Sequence, residues 1–448
     1  MRPVSVHPFV RLGVCAVATA GVLLAGVSAP ASAAETDQLW INAPSEKNLQ
    51  AGAGTGTPVD VGLYHDNENF TVTDGRLTVD VSGLAGVAEV TWPGNCAPSG
   101  TTAVCTVPQV PAIGADYSPQ VRLQVRAADG AQDGAHGRIT YAATATGGPD
   151  GTLEAPRDSF DTAFTVGSGP NLVLGGLAPV DGIAPGSASI VPLTVTNEGN
   201  EPAQGFTLGM VASYGLGFDS AYDACVYTEA GGEDGPPSSH AQCSFGQVLE
   251  PGDSFTLPEP LWIAVRDHAL RERLDLHVEP AGGATDLDTE DNWGIVAVNA
   301  AGTADFAVRG SKVTGAVGET VKAALTFSNK GPAWIGNLGS GDAVALVDFT
   351  VPEGVTVTGA PASCQPRTLS GGYHPGRLGA PRYVCDMPYW VLEDTVRTFR
   401  FSLRVDTVVP GAQGRVALKP VITGTGFPFD PKPGNNKGWV TVNPLPAV

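Results

Sequence analysis

Gly354-Val-Thr-Val-Thr-Gly-Ala-Pro-Ala-Ser-Cys364 and Tyr383-Val-Cys385-Asp-Met-Pro-Tyr-Trp390 decide the fold. Both runs have β-type composition, and each carries one cysteine. A Gly/Pro/Arg loop, residues 365–381, separates them. The same device stands at Cys96/Cys105 and at Cys225/Cys243. An even set, two to each third of the chain, with no C-x-x-C spacing, reads as local disulfides formed in an oxidising compartment. Free or metal-bound thiols are the alternative.

The chain repeats around these cassettes. Asn171-Leu-Val-Leu leads, after a turn at Ala184-Pro-Gly186, to Ser189-Ile-Val-Pro-Leu-Thr-Val-Thr196 and Asn197-Glu-Gly199. Asp305-Phe-Ala-Val308 leads to Gly318-Glu-Thr-Val-Lys-Ala-Ala-Leu-Thr-Phe-Ser328 and Asn329-Lys-Gly331. Apolar and polar residues alternate, then stop at Asn-x-Gly, where Asn bonds its own backbone and Gly supplies positive φ. These are strands and turns. Behind each cassette come two more strands, as in Thr398-Phe-Arg-Phe-Ser-Leu-Arg-Val405, with Phe399, Phe401, Leu403 and Val405 on one face. That is an antiparallel strand with one dry face. An acidic or Asn-rich turn and a final strand close each unit. No stretch carries a convincing helical period; residues 267–273 are expected to make one helical turn at most.

The N-terminus has cations at Arg2 and Arg11, an apolar run from Leu12 to Val27 and the cleavage pattern Ala31-Ser-Ala33. This predicts a secretory signal peptide over residues 1–33, which would discard Cys15. The remainder, at ~150 residues per domain, makes about three domains: 34–167, 168–300 and 301–448, jointed at Gly167-Ser-Gly-Pro170 and Asn299-Ala-Ala-Gly302. The net charge of −20 becomes two units more negative once Arg2 and Arg11 are removed. That charge repels nucleic acid and anionic lipid. No integral membrane span is expected in the mature chain. Gly 58 and Pro 37 are high, yet 42% of residues are hydrophobic, so the chain can bury a core.

The order strand, Asn-x-Gly, paired cysteines, Asp430-Pro-Lys-Pro-Gly-Asn435-Asn436 and last strand resembles the conserved-repeat and cell-adhesion-related domains of bacterial surface proteins. The match is fullest in the third unit. The second has Asp291-Asn292 without the Pro and double Asn, and the first has Asp66-Asn67-Glu68-Asn69 where Asn-x-Gly should stand. The resemblance implies an all-β protein of three tandem immunoglobulin-like antiparallel sandwiches after a signal peptide, and a non-catalytic role. Many relatives end in a Leu-Pro-x-Thr-Gly sorting signal. Here the sequence runs out at Asn443-Pro-Leu-Pro-Ala-Val448, so the expectation is a released protein, one held at the surface without a sortase anchor, or a truncated sequence.

Site signals are sparse. The turn Asp286-Leu-Asp288-Thr-Glu290-Asp291-Asn292 is the strongest metal candidate, because calcium takes several oxygens from a flexible loop. It lacks the EF-hand glycine and closing Glu, and a solvated Asx turn is the preferred reading; Asp66–Asn69 is a weaker version. Six histidines outside the leader (His65, His136, His240, His268, His277 and His374) share no metal spacing and read as surface or strand-face residues. No Gly-x-Ser-x-Gly elbow exists. No catalytic residue and no cofactor is assigned. Trp262, Trp293, Trp390 and Trp439 read as core or edge packing. Trp334, after a turn, is expected to be exposed and to join Tyr373 and His374 in a small ligand-facing surface. The function expected is a secreted scaffold, spacer or adhesin, whose partner is an extracellular or cell-envelope protein or glycan. The partner would meet loops such as 231–240 and 365–381. The alternative is a secreted hydrolase or carbohydrate-binding accessory protein with an inter-domain site.

Overall fold

A computed structural model describes residues 35–52, 56–113, 118–155, 160–220, 222–232, 235–421 and 426–445. The expected signal peptide lies outside them. The described chain is β throughout apart from one 3-10 turn, Pro433–Asn435. Among the described residues no helix is long and apolar enough to cross a membrane.

The strands form three blocks, and each block has a large sheet with the same order. In the first it runs Glu46–Gln50, Asp161–Gly167, His136–Thr146, Val72–Gly83, Thr102–Val110, Cys96–Ser99. In the second it runs Val180–Ile183, Trp293–Ala300, Arg271–Pro280, Ala203–Ser213, Ser238–Leu249, Cys225–Ala230. In the third it runs Lys312–Val313, Lys437–Val442, Ala412–Lys419, Leu346–Thr350, Arg382–Asp386, Cys364–Arg367. The short first strand always pairs parallel with the last strand of its block. The disulfides Cys96–Cys105, Cys225–Cys243 and Cys364–Cys385 join residues directly opposite on the outermost antiparallel pair, with Cα atoms 3.9 Å apart. Each staples an edge strand, the part of a sheet that lacks a second neighbour.

A smaller sheet packs across each large one. In the third block its order is Ala304–Gly310, Thr320–Pro332, Val396–Val405, Val355–Gly359. The alternation along Val396–Val405 buries Phe399, Phe401, Leu403 and Val405 against Phe349 and Tyr383 of the opposite sheet. Burying each such side chain contributes about 1.5–3 kcal/mol. In the second block the expected continuous strand over residues 189–196 is two strands, Ala188–Val191 and Thr194–Asn197, and the smaller sheet splits in two. Pro192 lies at the break, and Pro258 and Pro260 interrupt the neighbouring strand. Proline has no N–H for the ladder, so pairing stops there. The expected helical turn is instead a reverse turn at Asp267–His268, and the next strand begins at Arg271.

The Asn-x-Gly signals end in buried side chains. Asn197 accepts from the Gly199 and Asn171 N–H groups and donates to the Glu201 and Leu249 carbonyls. Asn329 accepts from Gly331 N–H and donates to Ala333 and Leu392. Both are at most 1% exposed and satisfy backbone groups that would otherwise be buried unpaired. Strand register places His65 at the same point of the first block: Leu39 faces His65 as Leu172 faces Asn197 and Phe306 faces Asn329. His65 is buried, with Nδ1 2.9 Å from Asp37 Oδ2, and Asp37 also accepts from Asp66 and Asn67 N–H. Of the two readings, surface or strand-face, the strand-face one holds for His65, which ends the strand Thr57–His65 with its side chain buried. The first block meets the same need with a His–Asp pair.

Candidate functional site

The second and third blocks meet around one carboxylate. Glu272 follows Arg271 at the start of Arg271–Pro280, in phase with the core residues Leu274, Leu276 and Val278, and is 4% exposed. It accepts hydrogen bonds from Ser213 Oγ (2.6 Å), Gly215 N (3.0 Å), Leu270 N (3.0 Å) and, from the third block, Trp334 Nε1 (2.6 Å). Gly215 is required here, because a Cβ would run into the Glu272 carboxylate. A charge buried in this way is tolerable only when its lone pairs are filled.

Trp334 reaches that carboxylate because the chain reverses at Gly331, which has φ +69°, while Asn329 holds the Gly331 N–H. The backbone N–H of Trp334 donates to His268 O at 3.1 Å. Tyr214 stacks on His268 at 4.1 Å, meets the Trp334 ring edge-on at 5.6 Å and donates to Glu393 Oε1 at 3.0 Å. Burial, reinforced by the Glu393 carboxylate, pushes the Tyr214 phenol above its ordinary pKa. Leu270, Ala304 and Ala333 form a small apolar cluster in the joint. Arg273 Nη1 donates to Leu338 O at 3.0 Å.

Beside this joint lies a cleft of about 580 Å³. Its second-block side presents the outward residues Ile295 and Ala297, and its third-block side presents Ile335, Leu338, Phe427 and Phe429. The expected surface of Trp334, Tyr373 and His374 does not form. Trp334 is 1% exposed, whereas Tyr373 is 75% exposed on the cassette loop and His374 Nδ1 is held by Gly376 O at 2.8 Å. Trp262, Trp293 and Trp439 also depart from the packing expectation: they are 41%, 61% and 50% exposed. Each sits on the outward phase of its strand, and Trp293 stacks on His277 at 3.8 Å.

The acidic turn of the second block faces the first. Lys47 donates to Asp288 Oδ2 at 3.1 Å and Glu290 Oε2 at 2.5 Å. Burial works against the Lys47 charge, but the two carboxylates outweigh it and raise its pKa. Asn200 Nδ2 adds a bond to Ala51 O at 3.1 Å. Asp286 accepts from Leu172 N and Asp288 N, Asp288 from Glu290 N, and Asp291 from Asn171 Nδ2. Burial and the nearby Asp288 charge push Asp291 up to about 7. Among the described residues no three His, Cys, Asp or Glu side chains are grouped to hold a metal ion. The candidate calcium ligands of this turn, Asp286, Asp288 and Asp291, are thus engaged in hydrogen bonds that tie the turn to its own backbone, to the strand that opens the second block and to Lys47.

The sequence offered one signal for Glu272. In Arg271-Glu-Arg-Leu-Asp-Leu-His-Val278 the charged Glu occupies the inward phase of an alternating strand. A carboxylate there needs hydrogen-bond donors to fill its lone pairs.

No family model matches the chain, and no curated protein does. Solved structures similar to it include a protein of Corynebacterium diphtheriae described as membrane anchored (12% identity, 92% of this chain, 96% of that one, TM-score 0.20). Others are the Dpr2 Ig1–Ig2 complex with DIP-Theta Ig1–Ig3 (10%, 91% and 100%, TM-score 0.24) and a three-immunoglobulin fragment of titin (8%, 92% and 100%, TM-score 0.20). At these scores the likenesses carry no functional argument, and the fold rests on the sheets themselves.

Proposed function

We propose that the three blocks are tandem immunoglobulin-like domains, over residues 34–167, 168–300 and 301–448, of a secreted, non-catalytic protein. Its work is mechanical: it holds exposed loops at fixed spacing outside the cell, as a scaffold, spacer or adhesin. The observation that carries this reading is the joint at Glu272. A flexible tether would leave that carboxylate to water, whereas here it is filled by donors from two blocks. The three cystines support an oxidising location. The test is a distance distribution between labels at the exposed Val248 and Leu369 of the full chain. A single narrow distribution is expected; a broad one overturns the fixed joint. Recovery of the chain from culture fluid with its N-terminus at Ala34 tests secretion.

The cleft beside the joint favours a second reading, an accessory protein that acts on or binds polysaccharide. Product release from a polysaccharide or peptide panel would put that reading first.

A further inference from the structure

We propose that the cleft between the second and third blocks binds a small amphiphile: an apolar chain or ring system carrying one anionic group, with the anion at Arg271. Three charged residues line the cleft: Arg271, Glu272 and Arg273. Glu272 is filled by its four donors. Arg273 is closed by Asp275 and by Leu338 O. Arg271 is exposed, and its guanidinium makes no ion pair or hydrogen bond among the described residues. Its cross-strand neighbour Asn299 is directed to Asp181 at 2.7 Å, so the nearest acid on that row is already engaged.

The cleft therefore offers one uncommitted cation in a chain of net charge −20, beside a mostly apolar wall. Its volume of about 580 Å³ suits a ligand of small-molecule size. A guanidinium recognises a carboxylate or sulfate through paired N–H donors. The wall of Ile295, Ile335, Leu338, Phe427 and Phe429 supplies the rest: each methylene taken from water into such a wall raises affinity about fourfold. A cationic amphiphile would place like charge against Arg271, and a neutral one would leave it unanswered.

The site rests on the closed joint described above, so the experiment reads the two separately. Octanoate, decanoate, the matching alcohols and decyltrimethylammonium are titrated calorimetrically into the full chain, below their micelle concentrations. Decanoate is expected to bind at one site per chain, about fifteenfold more tightly than octanoate and several-fold more tightly than the cationic analogue. Arg271→Gln should weaken decanoate about tenfold and leave decanol unchanged. Leu338→Glu should abolish both, and an unchanged Tm shows that each variant is folded. A flat decanoate titration, equal affinity for the cation, or Arg271→Gln binding decanoate as the parent does would each overturn the proposal. If the label distances are narrow and the titration is flat, the ligand assignment fails while the joint stands. If the distances are broad, the joint itself has failed.

Discussion

Replacing Trp334 by Phe separates the joint from the blocks it connects. The variant keeps an aromatic ring at the boundary but removes the indole donor, so Glu272 loses the 2.6 Å bond from the third block and keeps the three from the second. A hydrogen bond to a buried charge contributes about 1.5–3 kcal/mol. Trimming the fused ring leaves a small void that adds to the loss, so the joint should weaken by about 2–4 kcal/mol. Neither sandwich core contains Trp334, so each block should keep its own stability. In the parent, the second and third blocks are expected to melt together in scanning calorimetry, because the joint couples them. In Trp334→Phe the transition should split, the less stable block moving down by about 5–10 °C. Glu272→Ala makes the contrast: it strands Ser213, Gly215 N and Leu270 N within the second block as well, and must lower that block directly. If Trp334→Phe melts in the same single transition as the parent, the indole bond does not couple the blocks and the reasoning fails.

Three further outcomes follow from the same geometry. Replacing both Cys225 and Cys243 by Ser opens a loop of sequence separation 18 and should cost about 3 kcal/mol by the chain-entropy estimate; in the Trp334→Phe background, where the transitions are split, the calorimetric loss should fall in the second block's transition and leave the third's in place. Asp291 is pushed up to about 7 from 3.8, so the folded chain holds its proton where the unfolded chain has released it, and stability falls as pH rises from about 4 to 7. Part of that slope is screened by solvent, and urea melts across this range should show a flatter profile for Asp291→Asn; an identical slope would mean Asp291 is not the group responsible. Lys47→Met should loosen the contact between the first and second blocks by about 1 kcal/mol and make it insensitive to salt, read as inter-block distances at low and high ionic strength.

Much of the fold was legible because it is local. Phe399, Phe401, Leu403 and Val405 announce a half-buried strand by period alone, and Asn329 followed by Gly331 marks the turn that ends its neighbour. The smaller sheet of the second block was less legible, because Pro192 interrupts an alternation that otherwise reads as one strand. The site was hidden for a different reason. Gly331-Pro-Ala-Trp-Ile reads as an exposed turn. The surface that buries Trp334 is His268, Tyr214 and Glu272, more than sixty residues upstream. Burial conferred by another block leaves no period in the sequence. The pairing of His65 was missed in a related way: its partner Asp37 precedes the first strand, and no motif links the two.

The turn before the last strand shows how one repeated element was fitted to two neighbours. Asp286 and Asp430 stand at the same place, as do Asn292 and Asn436, which immediately precede the last strands. Between them the acid and the amide have changed places. In the second block Asn171 donates to Asp291; in the third Asn435 donates to Asp305. Position 171 corresponds to 305 by strand register. The reason lies two residues after the first Asp of each turn. In the third block that residue is Lys432, which reaches Asp305 at 3.0 Å. Burial opposes the Asp305 charge, but Asn435 and Lys432 outweigh it and hold its carboxyl below the usual range. In the second block that residue is Asp288, whose side chain is turned to Lys47 of the first block. An acid at position 171 would there face a second acid, so an amide is the compatible choice, and the carboxyl moves to position 291, where burial drives its pKa up instead. One substitution in the turn thus answers two demands: it supplies, beside Glu290, an anion that docks Lys47, and it fixes which member of the buried pair can carry charge. Converting the second turn to the third's pattern, with Asp288→Lys, Asn171→Asp and Asp291→Asn together, should restore a low carboxyl pKa at position 171 while breaking the contact with the first block. Asp288→Lys alone should loosen the contact and lower the Asp291 pKa, because it removes the Asp288 charge that adds to burial there. If the triple variant kept its inter-block distance, the charge at position 288 would not be what holds Lys47 in place.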